Sequence, residues 1–214
     1  MTRAYNEDYV FGAMERLGCM MDYAENAIGL DAAVFWRYFI SSGVADLFGS
    51  GHPRYLAGMS GSELARLVVT TVSDLELSDN NDVIIYPGDA YWAGWALAYF
   101  QWYTGLSFRY IDTHGMDIET VLRLYHPLHE ADVTKFVETG LTRIRHWYED
   151  HPSPLKTLRK NARLTQKDLS QASGVSLRMI RAYEQGAQDI SKAELAAVLS
   201  LADVLKVSPR ELIP

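Results

Sequence analysis

The chain has 214 residues, 48% of them hydrophobic, and a formal net charge of −7, which is the composition of an ordinary globular protein long enough for two small domains. The charge is divided: from Leu155 onward ten Lys or Arg stand against six Asp or Glu, a net of +4, leaving −11 on residues 1–154. A single cysteine, Cys19, excludes an internal disulfide. The longest apolar run, Ala90 to Phe100, falls short of the ~20 residues of a membrane span, and the start lacks the apolar core of a signal peptide, so a cytoplasmic protein without a membrane partner is expected.

Apolar residues at helical spacing over 5–48 predict two helices. Val10, Phe11, Met14, Leu17, Met20 and Met21 mark the first; Val34, Phe35, Tyr38 and Phe39 mark the second, with Asp31 as its N-cap. The methionines read as core filler. From Gly49 to Gly61 the chain, GSGHPRYLAGMSG, must turn. With Arg54 it suggests a phosphate cradle, but it fits neither the Walker pattern nor GxGxxG, and turn geometry is the better explanation. Ser60 and Glu63 then form a capping box for a short helix.

Leu75 to Asp82 is acidic and turn-rich, and Val83 to Tyr86 predicts a short strand or extended link. Asp89 is the expected cap of a helix carrying Tyr91, Trp92, Trp95, Tyr99, Phe100, Trp102 and Tyr103 among small residues. Apolar nearly all round, this helix should be the buried centre of its domain. A ligand pocket with Gln101 as its polar group is the competing reading.

Asp117 opens a helix that Pro127 ends or bends. His126, His129, Glu130 and Asp132 lie close together, but Pro127 interrupts the helix that would align the histidines and no third ligand is evident, so neither a metal nor another cofactor is expected. A further helix runs from Glu130 to Glu149, weakened at Gly140. His151 to Pro154, with two prolines, reads as a stiff link at 151–154 between a helical domain, 1–150, and a second domain, 155–214. No nucleophile motif, zinc set or phosphate loop in 1–150 points to an enzyme.

Beyond the link, Leu155, Leu158 and Ala162 mark a helix. Thr165 with Asp168 nearly completes a capping box for a second, and Ser173, Gly174 and Val175 form a tight turn. Ser176 caps a third helix that packs Met179, Ile180 and Tyr183 inward and leaves Leu177, Arg178, Arg181 and Ala182 outward. Arginines so placed can attract phosphate or pair with guanine. Ser191 with Glu194 should box a fourth helix, and Ser208 with Glu211 a fifth. Helix, turn and helix of this form serve to lay the second helix in the major groove of DNA.

The run LRKNARLTQKDLSQASGVSLRMIRAYEQG, within Leu155 to Ile213, resembles the helix-turn-helix domain of the Cro and lambda-repressor (XRE) family, without insertion. The resemblance implies an all-α, five-helix lambda-repressor-like domain behind the N-terminal helices. It implies that Gln166 binds a phosphate, that Ser176, Leu177, Arg178 and Ala182 lie where bases are read, that Lys167 and Arg181 add backbone contacts, and that Arg159 pairs with Glu184. Leu177 and Ala182 stand where polar readers are usual in the family. Residues 1–150 are similar to helical domains that precede such modules in bacterial proteins. The expected function is a transcriptional regulator, a repressor, that binds double-stranded DNA as a homodimer, with a protein or small-molecule effector at its first domain. The alternative is an antitoxin that represses its own operon while its first domain binds a toxin.

Overall fold

The computed structural model describes residues 3–77 and 87–213. Within them every regular element is helical, and two compact units, Met1–Gly140 and Leu141–Pro214, divide the chain. The segment Val83 to Tyr86, expected to be strand or link, lies outside the described residues.

The first unit contains α1 (Val10–Asn26), α2 (Ala32–Ser41), α3 (Val44–Gly49), α4 (Pro53–Leu56), α5 (Gly61–Val72), α6 (Asp89–Thr104), α7 (Phe108–Thr113), α8 (Ile118–Arg123) and α9 (Tyr125–Leu128). The next helix, α10 (Val133–Asp150), begins in this unit and ends in the other. Asp31 caps α2 and Ser60 forms the full capping box of α5, as expected. Asp89 does not cap α6: Gly88 is the N-cap, and the Asp89 carboxylate accepts from the next amide, Ala90, at 2.9 Å. Residues 5–48 hold a third, short helix, α3, and Phe11 is 63% exposed instead of packed with Met14 and Leu17.

α6 is the buried centre, and its neighbours approach it through glycines. A Cβ on Gly94 would lie 2.8 Å from the carbonyl carbon of Leu17, and one on Gly18 would lie 2.9 Å from the Tyr91 ring, so α1 and α6 pack backbone to backbone. Gly140 has the same role in α10. A Cβ there would meet Phe100 and Met116, so the glycine that weakens the helix is what admits the Phe100 ring. Met14, Met20 and Met21 are buried in this core. Trp36, Phe39, Phe48 and Phe108 form a second aromatic cluster with centroids 5.3–6.4 Å apart. The glycine-rich loop is held from below: Arg16 donates from Nε to the Met59 carbonyl at 3.1 Å and from a terminal nitrogen to Ala57 at 3.3 Å. Gln101 is fully buried and donates to the Gly49 carbonyl at 3.0 Å, which makes it a brace for that loop and not the polar group of a pocket.

The second unit continues α10 with α11 (Pro154–Asn161), α12 (Gln166–Ser173), α13 (Leu177–Glu184) and α14 (Leu195–Leu205). Leu155, Leu169, Ile180, Tyr183, Val198, Leu201 and Leu205 are among its core residues. The prolines at 152 and 154 interrupt the chain between α10 and α11, with Ser153 as N-cap and Pro154 at the first position of α11, where its missing N–H costs nothing. The compact unit nevertheless begins at Leu141, ahead of this interruption. The fifth element is a single 3₁₀ turn, Pro209–Glu211, with the expected box from Ser208. Ser191 does not box α14. It lies in another 3₁₀ turn, Ile190–Lys192, capped by Asp189, and α14 starts after Glu194 without a side-chain cap.

Candidate nucleic-acid interface

α12 and α13 meet through a turn that local chemistry defines completely. The Thr165 hydroxyl accepts from the Asp168 amide at 3.1 Å while the Asp168 carboxylate accepts the Thr165 amide at 2.9 Å, which completes the capping box of α12. The Thr165 hydroxyl also donates to the Asp168 carboxylate at 2.6 Å, and this bond first, with the Thr165 amide second, holds the Asp168 carboxyl below the usual carboxylate range. Gly174 ends α12 at φ +72°, and a Cβ there would meet nothing, so the requirement for glycine is one of backbone angle and not of space. Ser170 donates to the Val175 carbonyl at 2.7 Å and fastens the turn to the helix before it.

Ser176 caps α13 by accepting from Met179 at 3.3 Å. Ile180 and Tyr183 are buried and Met179 is half-buried, while Arg178 and Arg181, three apart, are exposed. Leu177 and Ala182, four residues from Arg181 and Arg178 respectively, complete the same helical face, and both are half-buried. Ser176 and Lys167 are exposed, the latter in the first turn of α12. Lys160 and Arg163 add exposed positive charge at the end of α11 and just beyond it.

Below this surface lies a buried charge cluster. Arg159 donates from Nε to Glu184 Oε1 at 2.6 Å and from Nη2 to Oε2 at 2.9 Å, and its Nη1 donates to the Leu164 carbonyl at 2.7 Å. The bidentate pair expected between these residues is present, 9% and 3% exposed. It ties α11 to the end of α13. The sequence reading did not foresee its third member: the Gln166 amide donates to Glu184 Oε2 at 2.8 Å. A carboxylate only accepts, so the nitrogen end of Gln166 must face it. The signal was available in the arithmetic of donors, since a buried carboxylate offers about four acceptor sites and Arg159 fills two. Gln166 is therefore half-buried and directed toward Glu184, with one of its two amide N–H groups engaged there.

Among the described residues no group of three or more His, Cys, Asp or Glu could hold a metal ion, and no helix is long and apolar enough to cross a membrane. His126 and His129 have ring centroids 6.5 Å apart, and His129 donates from Nδ1 to the Tyr125 carbonyl at 3.0 Å.

Residues 155–212 match the family model described as helix-turn-helix. No curated protein and no solved structure matches the chain.

Proposed function

Residues 155–212 being a DNA-binding helix-turn-helix domain of the XRE type, the kind found in transcription regulators, we propose that the protein is a sequence-specific repressor of the bacterial cytoplasm that binds a near-palindromic operator through α13. The observation that carries this reading is the face of α13, where Arg178 and Arg181 stand exposed on a helix fixed at its start by Ser176 and at its end by the Arg159–Glu184 pair. Arg178 makes the bidentate contact to guanine, Arg181 and Lys167 contact the sugar-phosphate backbone, and Leu177 and Ala182 offer apolar contact to a thymine methyl. Gln166 spends one of its two amide N–H groups on Glu184, which holds α12 against α13, and its second N–H is left to donate to a phosphate.

Two copies bind, each α13 entering a major groove about one turn, roughly 34 Å, from the other. In support of self-association, Leu195 and Leu199, one turn apart on α14, are 71% and 44% exposed. The acidic first unit is repelled by DNA and is left to sense an effector or partner.

Selection of bound sequences from a random DNA pool tests the reading and should enrich a two-fold symmetric motif. On that motif Arg178→Ala should relax or abolish preference, with about 1–3 kcal/mol lost at the guanine it reads. Lys167→Ala should weaken binding to all sequences and reduce the salt slope by about one. An Arg178→Ala protein with unaltered operator preference would overturn the assignment of α13 as reader.

A further inference from the structure

The amino-terminal half of α6 has one face that is not core. A cavity of about 300 Å³ opens there, lined by Pro87, Tyr91, Trp92, Trp95, Tyr125 and His129. The size is at the lower end for small-molecule sites. The cavity is open to its surroundings, and five of its lining residues carry aromatic rings. Trp92 meets Tyr125 edge to face with centroids 5.8 Å apart, and Tyr125 in turn stacks on His129 at 4.5 Å. Trp92 is also seated against Phe136 at 5.4 Å, so its ring is fixed before any ligand arrives.

Aromatic rings carry a negative quadrupole on their faces and offer few hydrogen-bonding atoms. Such walls favour a cation with a diffuse, weakly hydrated charge. Carboxylates stand near Tyr91. Burial raises the Tyr91 phenol above its ordinary value, and after burial and Cys19 the carboxylates of Glu15 and Asp22 raise it further. Burial likewise raises Glu25, and Asp89, Asp22 and Asp31 add to it. Glu130 lies 3.8 Å from His129 Nε2 with its carboxylate exposed. The amino end of α6, which would favour an anion, is already faced by the Asp89 carboxylate, which accepts from the Ala90 amide.

We propose that this aromatic box is a binding site for a small organic cation, a quaternary or tertiary ammonium on a short apolar body, and that it is where the first unit takes up its effector. Trp95, Tyr91 and Tyr125 supply the ring faces, and Trp92, locked between Tyr125 and Phe136, sets their spacing. The binding claim does not depend on the reading of α13, because it is tested without DNA.

The experiment is calorimetric titration of the full chain, with tryptophan fluorescence in parallel, using choline, its neutral isostere 3,3-dimethylbutan-1-ol, and benzoate as probes. The expected result is saturable binding of choline at least about tenfold tighter than the alcohol, equivalent to about 1.4 kcal/mol, with fluorescence change and no saturable binding of benzoate. Trp95→Leu and Tyr125→Leu should each weaken choline by several-fold at unchanged helicity, while Trp95→Phe retains most of the affinity. Equal affinity for choline and the alcohol, tighter binding of benzoate, or no saturable response to choline overturns the proposal. So does undiminished choline binding by a folded Trp95→Leu protein. The comparison of probes on the wild-type chain stands even where a variant fails to fold.

Discussion

Replacing Arg159 by methionine removes two of the three hydrogen bonds that Glu184 accepts and leaves its carboxylate, 3% exposed, with the Gln166 amide alone. An uncompensated buried charge of this kind costs about 3–5 kcal/mol. A domain of this size has about 5–15 kcal/mol in total, and about 1 kcal/mol corresponds to some 4–8 °C in Tm. The Tm of the second unit should therefore drop by roughly 12–40 °C. The double variant Arg159→Met with Glu184→Leu removes both charges and should be less destabilised than the single one, because the desolvation of two ions is relieved along with their attraction. Urea unfolding followed by circular dichroism gives the free energies, and hydrogen exchange read by mass spectrometry shows that the loss falls on residues 155–213. The reasoning is refuted if the single variant stays within about 1 kcal/mol of wild type, or if the double variant is as unstable as the single one.

Three further substitutions test separate parts of the structure. Gly186 is buried at φ +67°, with the Tyr148 ring and Ile144 where a Cβ would go; Gly186→Ala should cost about 3 kcal/mol in thermal unfolding, from backbone angle and overpacking together, and a change under about 1 kcal/mol would contradict the packing. Lys206, exposed, ends α14 at φ +58°; Lys206→Gly should raise stability by roughly 0.5 kcal/mol by relieving the left-handed angle, and a lower Tm would show that its side chain matters more. Asp168 has a depressed folded-state pKa, so its contribution is complete above its unfolded value of about 4 and is lost as pH falls through the folded value. Melts of Asp168→Asn should thus vary less with pH below about 4 than those of wild type, and parallel curves would refute the cap's part in acid sensitivity.

Much of this was legible because local chemistry carries it. Asp31, Ser60, Asp117, Thr165, Ser176 and Ser208 cap as their sequence neighbours require, and the period-3.6 pattern placed Ile180 and Tyr183 inside. The errors share a cause, which is that several chemically suitable caps compete at a helix start. Asp189, two residues before Ser191, accepts the Ser191 amide that Glu194 was expected to hold, and Gly88 displaced Asp89 by one position. What escaped entirely was long-range. Nothing local tells that Gln166 turns to a carboxylate eighteen residues later, that Gly140 opens room for Phe100, or that Gln101 supports a distant loop. The aromatic helix is core on most faces, as expected, and the cavity on its remaining face is lined without Gln101. Only tertiary placement of Tyr125 and His129 could show which of its rings remain reachable.

α10 begins among the residues of one compact unit and finishes among those of the other, where Ile144 and Tyr148 are 1% and 4% exposed and close over Gly186. The segment that matches the helix-turn-helix family is thus shorter than the piece that folds around it. A fragment begun at Leu155 would carry every residue proposed to touch DNA yet lose the lid on the glycine that ends α13. Transplanting the DNA-binding activity to another protein, or removing the first unit by proteolysis, should keep the chain from Leu141 onward intact.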